Sequence, residues 1–264
     1  MIEPADCKIV RGRSRTDFRP CGSSPAPPSC AQPPPGSLCH VTDAYSAFDA
    51  LLAARHSCRA FRPDPVPRAV IERILQAAQK VPSWCNAQPW QLVLTSGAET
   101  ERLRAALLAE ADAREPQPDI AFPARYSGVY QERRRGCGWQ LYEALGVAKG
   151  DRAGSAAQMR RNFALFGAPH CAIVSTPADL GTYGAIDCGA YVTAFALAAE
   201  ALGVASIAQA AVAGFAPLLR LHFAIPEDRQ IVCAISFGYA DPDHPANAFR
   251  TPRADPAEVV EWRA

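Results

Sequence analysis

A concentrated group of hydrogen-bond donors occupies residues 55–59, which begin and end with arginine and include a histidine and a serine. The planar fork of a guanidinium group matches the oxygens of a phosphate or carboxylate, and a serine hydroxyl can add a short hydrogen bond. The apolar spacing of Tyr45, Phe48 and Leu52 predicts a helix that ends near Arg55. Cations at such a position also complement the helix dipole, so the segment suits an anion site or a helix end.

A second polar segment, residues 81–90, contains Ser83, Asn86 and Gln88. An amide side chain both donates and accepts hydrogen bonds, which suits the carbonyls and ring nitrogens of a planar heterocycle. Prolines in the segment stiffen the loop that would hold these groups. Taken alone, the segment also reads as a turn with two structural tryptophans, so both interpretations stay open.

The elements that must position these two segments are mostly helical. Apolar periodicity predicts helices and buried strands that do not alternate regularly, which favours an α+β fold over a doubly wound sheet. The predicted helices end near residue 55 or cover 67–78, 99–111, 126–166 (interrupted at 146–154) and 185–202, and the predicted strands cover 91–95, 171–175 and 231–237.

Composition excludes several classes of protein. The 264 residues carry 27 Lys+Arg against 26 Asp+Glu, and there is no long basic run, so nothing indicates a nucleic-acid partner. The apolar stretch 201–219 is broken by Gly203 and Pro217, which argues against a membrane span. The 10 cysteines include no CxxC pair and no zinc-like Cys/His spacing, so we predict no metal site. Because the chain starts without the apolar core of a secretory signal, free thiols and a cytoplasmic location are expected.

Residues 1–42 differ from the remainder of the chain. Seven prolines fall between Pro20 and His40, interleaved with glycine and serine, and such a segment is typical of disorder. It suits either a functional tail or a translation start further along the chain. The sequence therefore predicts a disordered segment 1–42 followed by one domain, residues 43–264.

In combination and in this order, the motifs resemble the flavin-dependent nitroreductase family. The resemblance covers about residues 43–260, and its motifs are separated along the chain. They are Arg55 to Phe61, Pro63, Pro65 to Pro67, Pro82-Ser83 with Asn86 and Gln88-Pro89-Trp90, Asp187 to Gly189, Leu197 to Gly203, Gly238-Tyr239, and Pro245 to Arg253.

The resemblance implies a fold and an activity. Members of the family are intertwined homodimers of α+β fold, with a central mixed or antiparallel sheet flanked by helices, and they bind FMN non-covalently at the dimer interface. NAD(P)H is the co-substrate, and nitroaromatic or related electron-poor aromatic and quinone compounds are reduced by ping-pong hydride transfer through flavin N5. Because the flavin carries the chemistry, no catalytic side chain is implied. The same fold also serves enone reductases, reductive dehalogenases and azoline dehydrogenases, which remain alternatives.

The resemblance also assigns cofactor-binding roles, position by position. Arg55, Ser57 and Arg59 match ligands of the flavin phosphate and ribityl chain, and His56 matches a position against the cofactor. One of two tail arginines would complete the phosphate site. The remaining matches are Ser83, Asn86 and Gln88 at the polar ring edge, Arg250 or Arg253 as the second phosphate clamp, and Gln209, where other members place an acidic residue whose backbone approaches N5.

Three aromatic residues are candidates for substrate contacts. Trp84 replaces a small residue in the polar loop, and Trp139 and Phe163 fall in the variable region that covers the flavin in this family. Rings at these positions could stack on a planar nitroaromatic, and the arginines at 133–135 could attract a carboxylate. Packing against the core, and a solvated basic turn, are the alternatives.

Overall fold

The computed structural model describes the backbone of residues 38–263 and the side chains of residues 43–263. The disorder predicted for residues 1–42 falls mainly on residues outside this range and stays a prediction. The helices are α1 (Leu38–Ala54), α2 (Arg68–Ala78), α3 (Ala98–Ala113), α4 (Gly128–Ala144), α5 (Arg152–Arg160), α6 (Gly181–Ala201), α7 (Ala210–Ala213) and α8 (Ala216–Phe223). The strands are β1 (Gln91–Ser96), β2 (His170–Pro177), β3 (Ala205–Gln209) and β4 (Arg229–Gly238).

The four strands form one sheet in the order β1-β2-β4-β3. Each neighbouring pair is antiparallel, and the ladder between β2 and β4 shifts register between Val174 and Ser175. The predicted α+β class is therefore confirmed, and the sheet, for which the resemblance implies mixed or antiparallel strands, is antiparallel.

Apolar side chains cover both faces of the sheet, and successive residues of β2 alternate between them. Ala172 and Val174 face a layer that includes α2 and α6, where Phe195 packs edge-to-face on Phe237 with ring centroids 5.3 Å apart. Ile173 faces the opposite layer, which contains α3, α7 and α8. Helix α6 is apolar on most of its surface because it lies across this central sheet.

The buried cysteines behave as small apolar side chains, as the strand positions predict. Burial raises the pKa of the Cys171 and Cys233 thiols to about 12 and that of Cys188 to about 11. Such thiols stay protonated and unreactive near neutral pH. All six cysteines among residues 43–263 are free.

The region 202–226 contains the elements that periodicity did not predict, β3, α7 and α8. Strand β3 pairs with β4, and the two short helices pack against one face of the sheet. Because these residues are apolar on more than one face, the sequence shows neither a two-residue nor a 3.6-residue period. Within residues 38–263, no helix has both the length and the hydropathy needed to cross a bilayer.

Candidate functional site

The segment after α1 runs along the β3 edge of the sheet. Ser57 forms an isolated parallel bridge with Ser206 of β3, and the Cys58 N–H donates to the Ser206 carbonyl oxygen at 3.1 Å. Farther along, the Arg62 N–H donates to the Tyr239 carbonyl oxygen at 2.8 Å. The Cys58 side chain is buried, while its neighbours Ser57 and Arg59 stay partly exposed. The sheet edge therefore fixes the backbone that presents the donors of residues 55–59.

Asn247 ties the C-terminal segment to this backbone. Its Oδ1 accepts the Arg59 N–H at 2.8 Å, and its Nδ2 donates to the carbonyl oxygens of Ala60 at 2.9 Å and Asp241 at 2.8 Å. The side chain is buried, so these bonds are shielded from water. Arg250, three residues farther on, is thereby placed beside the segment 55–59.

The two segments enclose a cavity of about 230 Å³, which we call the arginine cavity. Within residues 43–263, the side chains that line it include no carboxylate. They are Leu52, Ala53, Arg55, His56, Ser57, Arg59, Cys137, Phe249, Arg250, Thr251 and Arg253. Four guanidinium groups around one small space make it a site for an anion.

None of the four arginines forms an ion pair with a carboxylate of residues 43–263. Three of them donate to backbone carbonyls instead, for example Arg59 to Ser57 at 3.1 Å and Arg250 to Asn247 at 2.8 Å, and Arg253 also donates to the Thr251 hydroxyl at 2.9 Å. Burial also lowers the pKa of the Arg59 guanidinium. The positive charge of the cavity is therefore available to a ligand.

His56 contributes an acceptor to the same cavity. Burial lowers its pKa, and the charge of Arg250 acts in the same direction. The neutral ring, with its proton on Nδ1, donates to the Ala54 carbonyl oxygen at 3.1 Å. Its Nε2 is buried without a hydrogen-bond partner in the described structure, so it can accept a hydrogen bond from a hydroxyl group of a bound ligand.

A second cavity of about 240 Å³, which we call the amide cavity, shares Ser57 and Arg59 with the first. Amide side chains and backbone, together with apolar side chains, form most of its wall. The lining residues are Ser57, Arg59, Leu141, Tyr142, Gln158, Met159, Asn162, Phe166 and Ile207 to Ala211. The two cavities together suit an elongated ligand with an anionic end and a flat, amide-recognising end.

Gln209, at the end of β3, has its side chain fully engaged in the protein. The Ser236 hydroxyl donates to its Oε1 at 2.5 Å, and its Nε2 donates to the Asn162 carbonyl oxygen at 2.9 Å. Since only 3 % of the residue is exposed, its side chain fixes β3 against the segment after α5. Its backbone, with that of Ala208 and Ala210, lines the amide cavity.

The loop that carries Ser83, Asn86 and Gln88 lies apart from both cavities, since none of the three lines either one. The loop is held by its own bonds: the Gln88 N–H donates to Ser83 Oγ at 2.9 Å, and Gln88 Nε2 donates to Asn86 Oδ1 at 3.2 Å. Asn86 and Gln88 have φ angles of 57° and 48°, a left-handed conformation that costs energy outside glycine. Such strain is common at binding sites.

Trp84, which follows Ser83 in this loop, is 60 % exposed. Its backbone N–H donates to the buried carboxylate of Asp187 at 3.1 Å, and its ring centroid lies 4.6 Å from that of Tyr183. Asp187 and Tyr183 both belong to α6. The loop is thus anchored to α6, with its aromatic ring on the surface.

The other two aromatic candidates do not line either cavity. Trp139 is exposed on α4, where its ring meets Tyr142 edge-on at 6.1 Å. Phe163 packs edge-to-face on Phe215, 5.2 Å away, against the core. For Phe163 this placement favours the core alternative over a substrate contact.

Sequence reasoning did not single out four side chains of the cavity walls, although two of them, Cys137 and Tyr142, lie in the variable region that the resemblance places over the flavin. Cys137 and Tyr142 lie on α4, Gln158 lies on α5, and Asn162 follows it. No motif singled them out, because α4 buries none of its residues and α5 buries only Gln158, so neither helix has an apolar face that would set its orientation.

Comparison with known proteins gives a consistent result. The profile of the Nitroreductase family matches residues 52–239. The chain is 36 % identical over 226 residues to nitroreductase NfnB of Mycolicibacterium smegmatis, covering 84 % of this chain and 95 % of the relative. It is 34 % identical over 241 residues to the 4-nitrobenzoate reductase of a Nocardioides species, covering 88 % and 94 %.

A solved structure is also similar. The crystal structure of FMN-dependent NfnB from Mycobacterium smegmatis in complex with NADPH superimposes with a TM-score of 0.80 at 34 % sequence identity. The match covers 84 % of this chain and 100 % of that one.

Proposed function

We propose that this chain, which belongs to the nitroreductase family, is an FMN-dependent enzyme that uses NAD(P)H to reduce nitroaromatic compounds. The observation that carries this proposal is the pair of adjoining cavities. An anion site lined by four arginines, none of which has an ion pair within residues 43–263, shares Ser57 and Arg59 with a site lined by amides. FMN has that sequence of groups, from its phosphate through its ribityl chain to its planar ring.

The residues present fit FMN on several observations. Arg55, Arg250 and Arg253 would hold the phosphate, since more than one cation is needed to balance a dianion. His56 Nε2, which has no hydrogen-bond partner within the described structure, would accept a hydrogen bond from a ribityl hydroxyl. Arg59 would contact the ligand where the two cavities meet.

When bound, FMN supplies the hydride-transfer chemistry itself. The protein then has to orient the ring, exclude water and admit the two substrates. Apolar side chains of the amide cavity, among them Met159, Phe166 and Ile207, exclude water from the ring. The bonds of Gln209 to Ser236 and Asn162 keep the adjacent backbone rigid.

The substrate class follows from the named relatives. The relatives include NfnB and two 4-nitrobenzoate reductases, all at least 32 % identical and covered over more than 90 % of their length. A nitroarene is planar and electron-poor, so it suits a site that presents one face of a flavin. Because all six described thiols are free, we place the enzyme in a reducing compartment, the cytoplasm.

The purified protein should contain FMN that NAD(P)H reduces. We expect flavin absorption bands that bleach without oxygen on addition of NADPH or NADH, and that return when a nitrobenzoate is added. A protein that stays colourless after incubation with FMN would contradict the assignment of the cofactor. Bound flavin that neither NADPH nor NADH bleaches would contradict enzymatic turnover. The protein would then be a flavin carrier.

We also propose a homodimer, in which the loop of Asn86 and Gln88 completes the site of the other protomer. The loop adjoins an exposed apolar surface formed by Trp84, Tyr183 and Ile186, which are 60 %, 55 % and 58 % exposed. Contiguous exposed aromatics of this kind are typical of interfaces. Across such an interface the loop could reach a cavity that it does not line within its own chain.

Ile186→Glu is expected to break the dimer, because it places a carboxylate in the centre of the apolar surface. Light scattering should give the mass of two chains for the native protein and one chain for the variant, and the variant should retain less FMN. Leu221→Glu is the matched control, since Leu221 is 85 % exposed on α8, away from this surface. A native protein that stays a single chain at micromolar concentration would contradict the homodimer.

A further inference from the structure

We propose that Gln158 is a flavin-binding residue, whose side-chain amide donates a hydrogen bond to a carbonyl on the pyrimidine edge of the FMN ring. The inference rests on the proposed function, because it places the ring in the amide cavity. Gln158 lies outside all of the family motifs described above.

The first observation is an amide buried without a partner. Gln158 is only 8 % exposed, and its Nε2 has no hydrogen-bond partner in the described structure. The other cavity amides are engaged: Asn162 Nδ2 donates to the Met159 carbonyl oxygen at 3.0 Å, and Gln209 bonds on both sides. A buried donor left unpaired is unfavourable, and in native proteins it usually marks a group that meets a ligand or water.

The second observation is the position of Gln158 relative to the anion site. It lines the amide cavity, which adjoins the arginine cavity at the two residues that line both, Ser57 and Arg59. A ligand whose phosphate lies among the arginines therefore places its other end beside Gln158. The side chains of Met159 and Phe166 supply apolar surface to the same cavity.

The chemistry of the ring completes the assignment. The pyrimidine edge of a flavin alternates carbonyl oxygens with an N–H group, and a primary amide can donate to the former. In the amide cavity such a bond replaces the hydrogen bond to water that the amide loses on folding. The amide should therefore lower the stability of the FMN-free protein and raise the affinity for FMN.

Gln158→Leu tests this by effects of opposite sign. Removing an unpaired buried amide should raise the melting temperature of the FMN-free protein by about 2–4 °C. The same change should weaken FMN binding about tenfold, measured by quenching of flavin fluorescence. The midpoint potential of bound FMN should become more negative, because a donor to the ring carbonyl stabilises the electron-rich ring more than the oxidised one.

Gln140→Leu is the matched control. Gln140 also has an unpartnered amide atom, its Oε1, but it lies outside the linings of both cavities. We expect this variant to bind FMN as the native protein does, with the same midpoint potential. If Gln158→Leu folds poorly, Gln158→Glu preserves the length and polarity of the side chain without its N–H donor, and it should also lose FMN affinity.

The possible failures are distinguishable. If the native protein binds no FMN, the proposed function is wrong. If the native protein binds FMN and both Gln158 variants bind it equally well at an unchanged potential, Gln158 does not contact the ring. A variant that changes only the KM for a nitroarene would assign the amide to the substrate instead, and a lower melting temperature of the FMN-free Gln158→Leu protein would assign it a structural role.

Discussion

Replacing Arg55 with alanine should weaken FMN binding by roughly 10- to 100-fold while leaving riboflavin binding nearly unchanged. Arg55 lines the arginine cavity and does not line the amide cavity. Under the proposed function, its guanidinium would therefore meet the phosphate, the one group that riboflavin lacks. The measurement is the ratio of the two dissociation constants, obtained by titrating each flavin into the flavin-free protein.

Arg59→Ala should behave differently, because Arg59 lines both cavities. We expect this variant to lose affinity for riboflavin as well as for FMN, so the ratio of the two constants should change less than in Arg55→Ala. The affinity of the native protein for FMN should fall with rising salt more steeply than its affinity for riboflavin, since salt screens the phosphate.

Arg73→Ala controls for the loss of a positive charge alone. Arg73 is an exposed residue of α2 that lines neither cavity and, within residues 43–263, has no ion pair. It should leave both dissociation constants unchanged. If Arg55→Ala lost the same affinity for FMN as for riboflavin, the phosphate would not lie in the arginine cavity.

The parts of the fold with a strong local pattern could be predicted from the sequence. The buried strands around Ile173 and Ile235 are short apolar runs, and α6 is apolar over many turns, so each is recognisable without knowledge of its neighbours. The arginines of the site could be predicted as well, since Arg55 and Arg59 lie within one five-residue motif and Arg250 lies in another.

The rest depends on contacts between distant parts of the chain. Gln158 becomes a wall of the amide cavity only because α5 packs beside β3, through the bond between Gln209 and Asn162, which are 47 residues apart. No local pattern reports such a contact. Likewise, the resemblance assigns Asn86 and Arg55 to the binding of one cofactor, whereas the fold anchors the Asn86 loop on α6, outside the lining of the arginine cavity.

Gln209 shows how a family motif and a local environment can differ. The family resemblance implies an acidic residue at this position, but in this chain the side chain donates to the Asn162 carbonyl oxygen. A carboxylate cannot make that donation unless it is protonated. The amide thus keeps the wall of the amide cavity intact without adding a negative charge to it.

Asn247→Ala should cause the largest loss of stability, about 3 kcal/mol of the free energy of unfolding. The substitution removes the partner of the Arg59 N–H and of the Asp241 carbonyl oxygen, and it removes one of the hydrogen bonds that the Ala60 carbonyl oxygen accepts, which keeps the one from the Asp241 N–H. Denaturant unfolding of the FMN-free protein measures the loss. FMN affinity should fall too, because Arg250 and Arg253 would no longer be fixed beside residues 55–59.

Asn247→Asp separates the acceptor of this side chain from its donor. The introduced carboxylate can still accept the Arg59 N–H, but it faces the Ala60 and Asp241 carbonyl oxygens instead of donating to them. Repulsion from these oxygens raises the pKa of the introduced carboxyl in the folded state above its unfolded value, so the loss of stability is largest at neutral pH. It should shrink as the pH falls through that folded pKa, because the protonated group regains one donor. An Asn247→Asp protein as stable as the native one at neutral pH would mean that the two donated bonds do not hold the C-terminal segment in place.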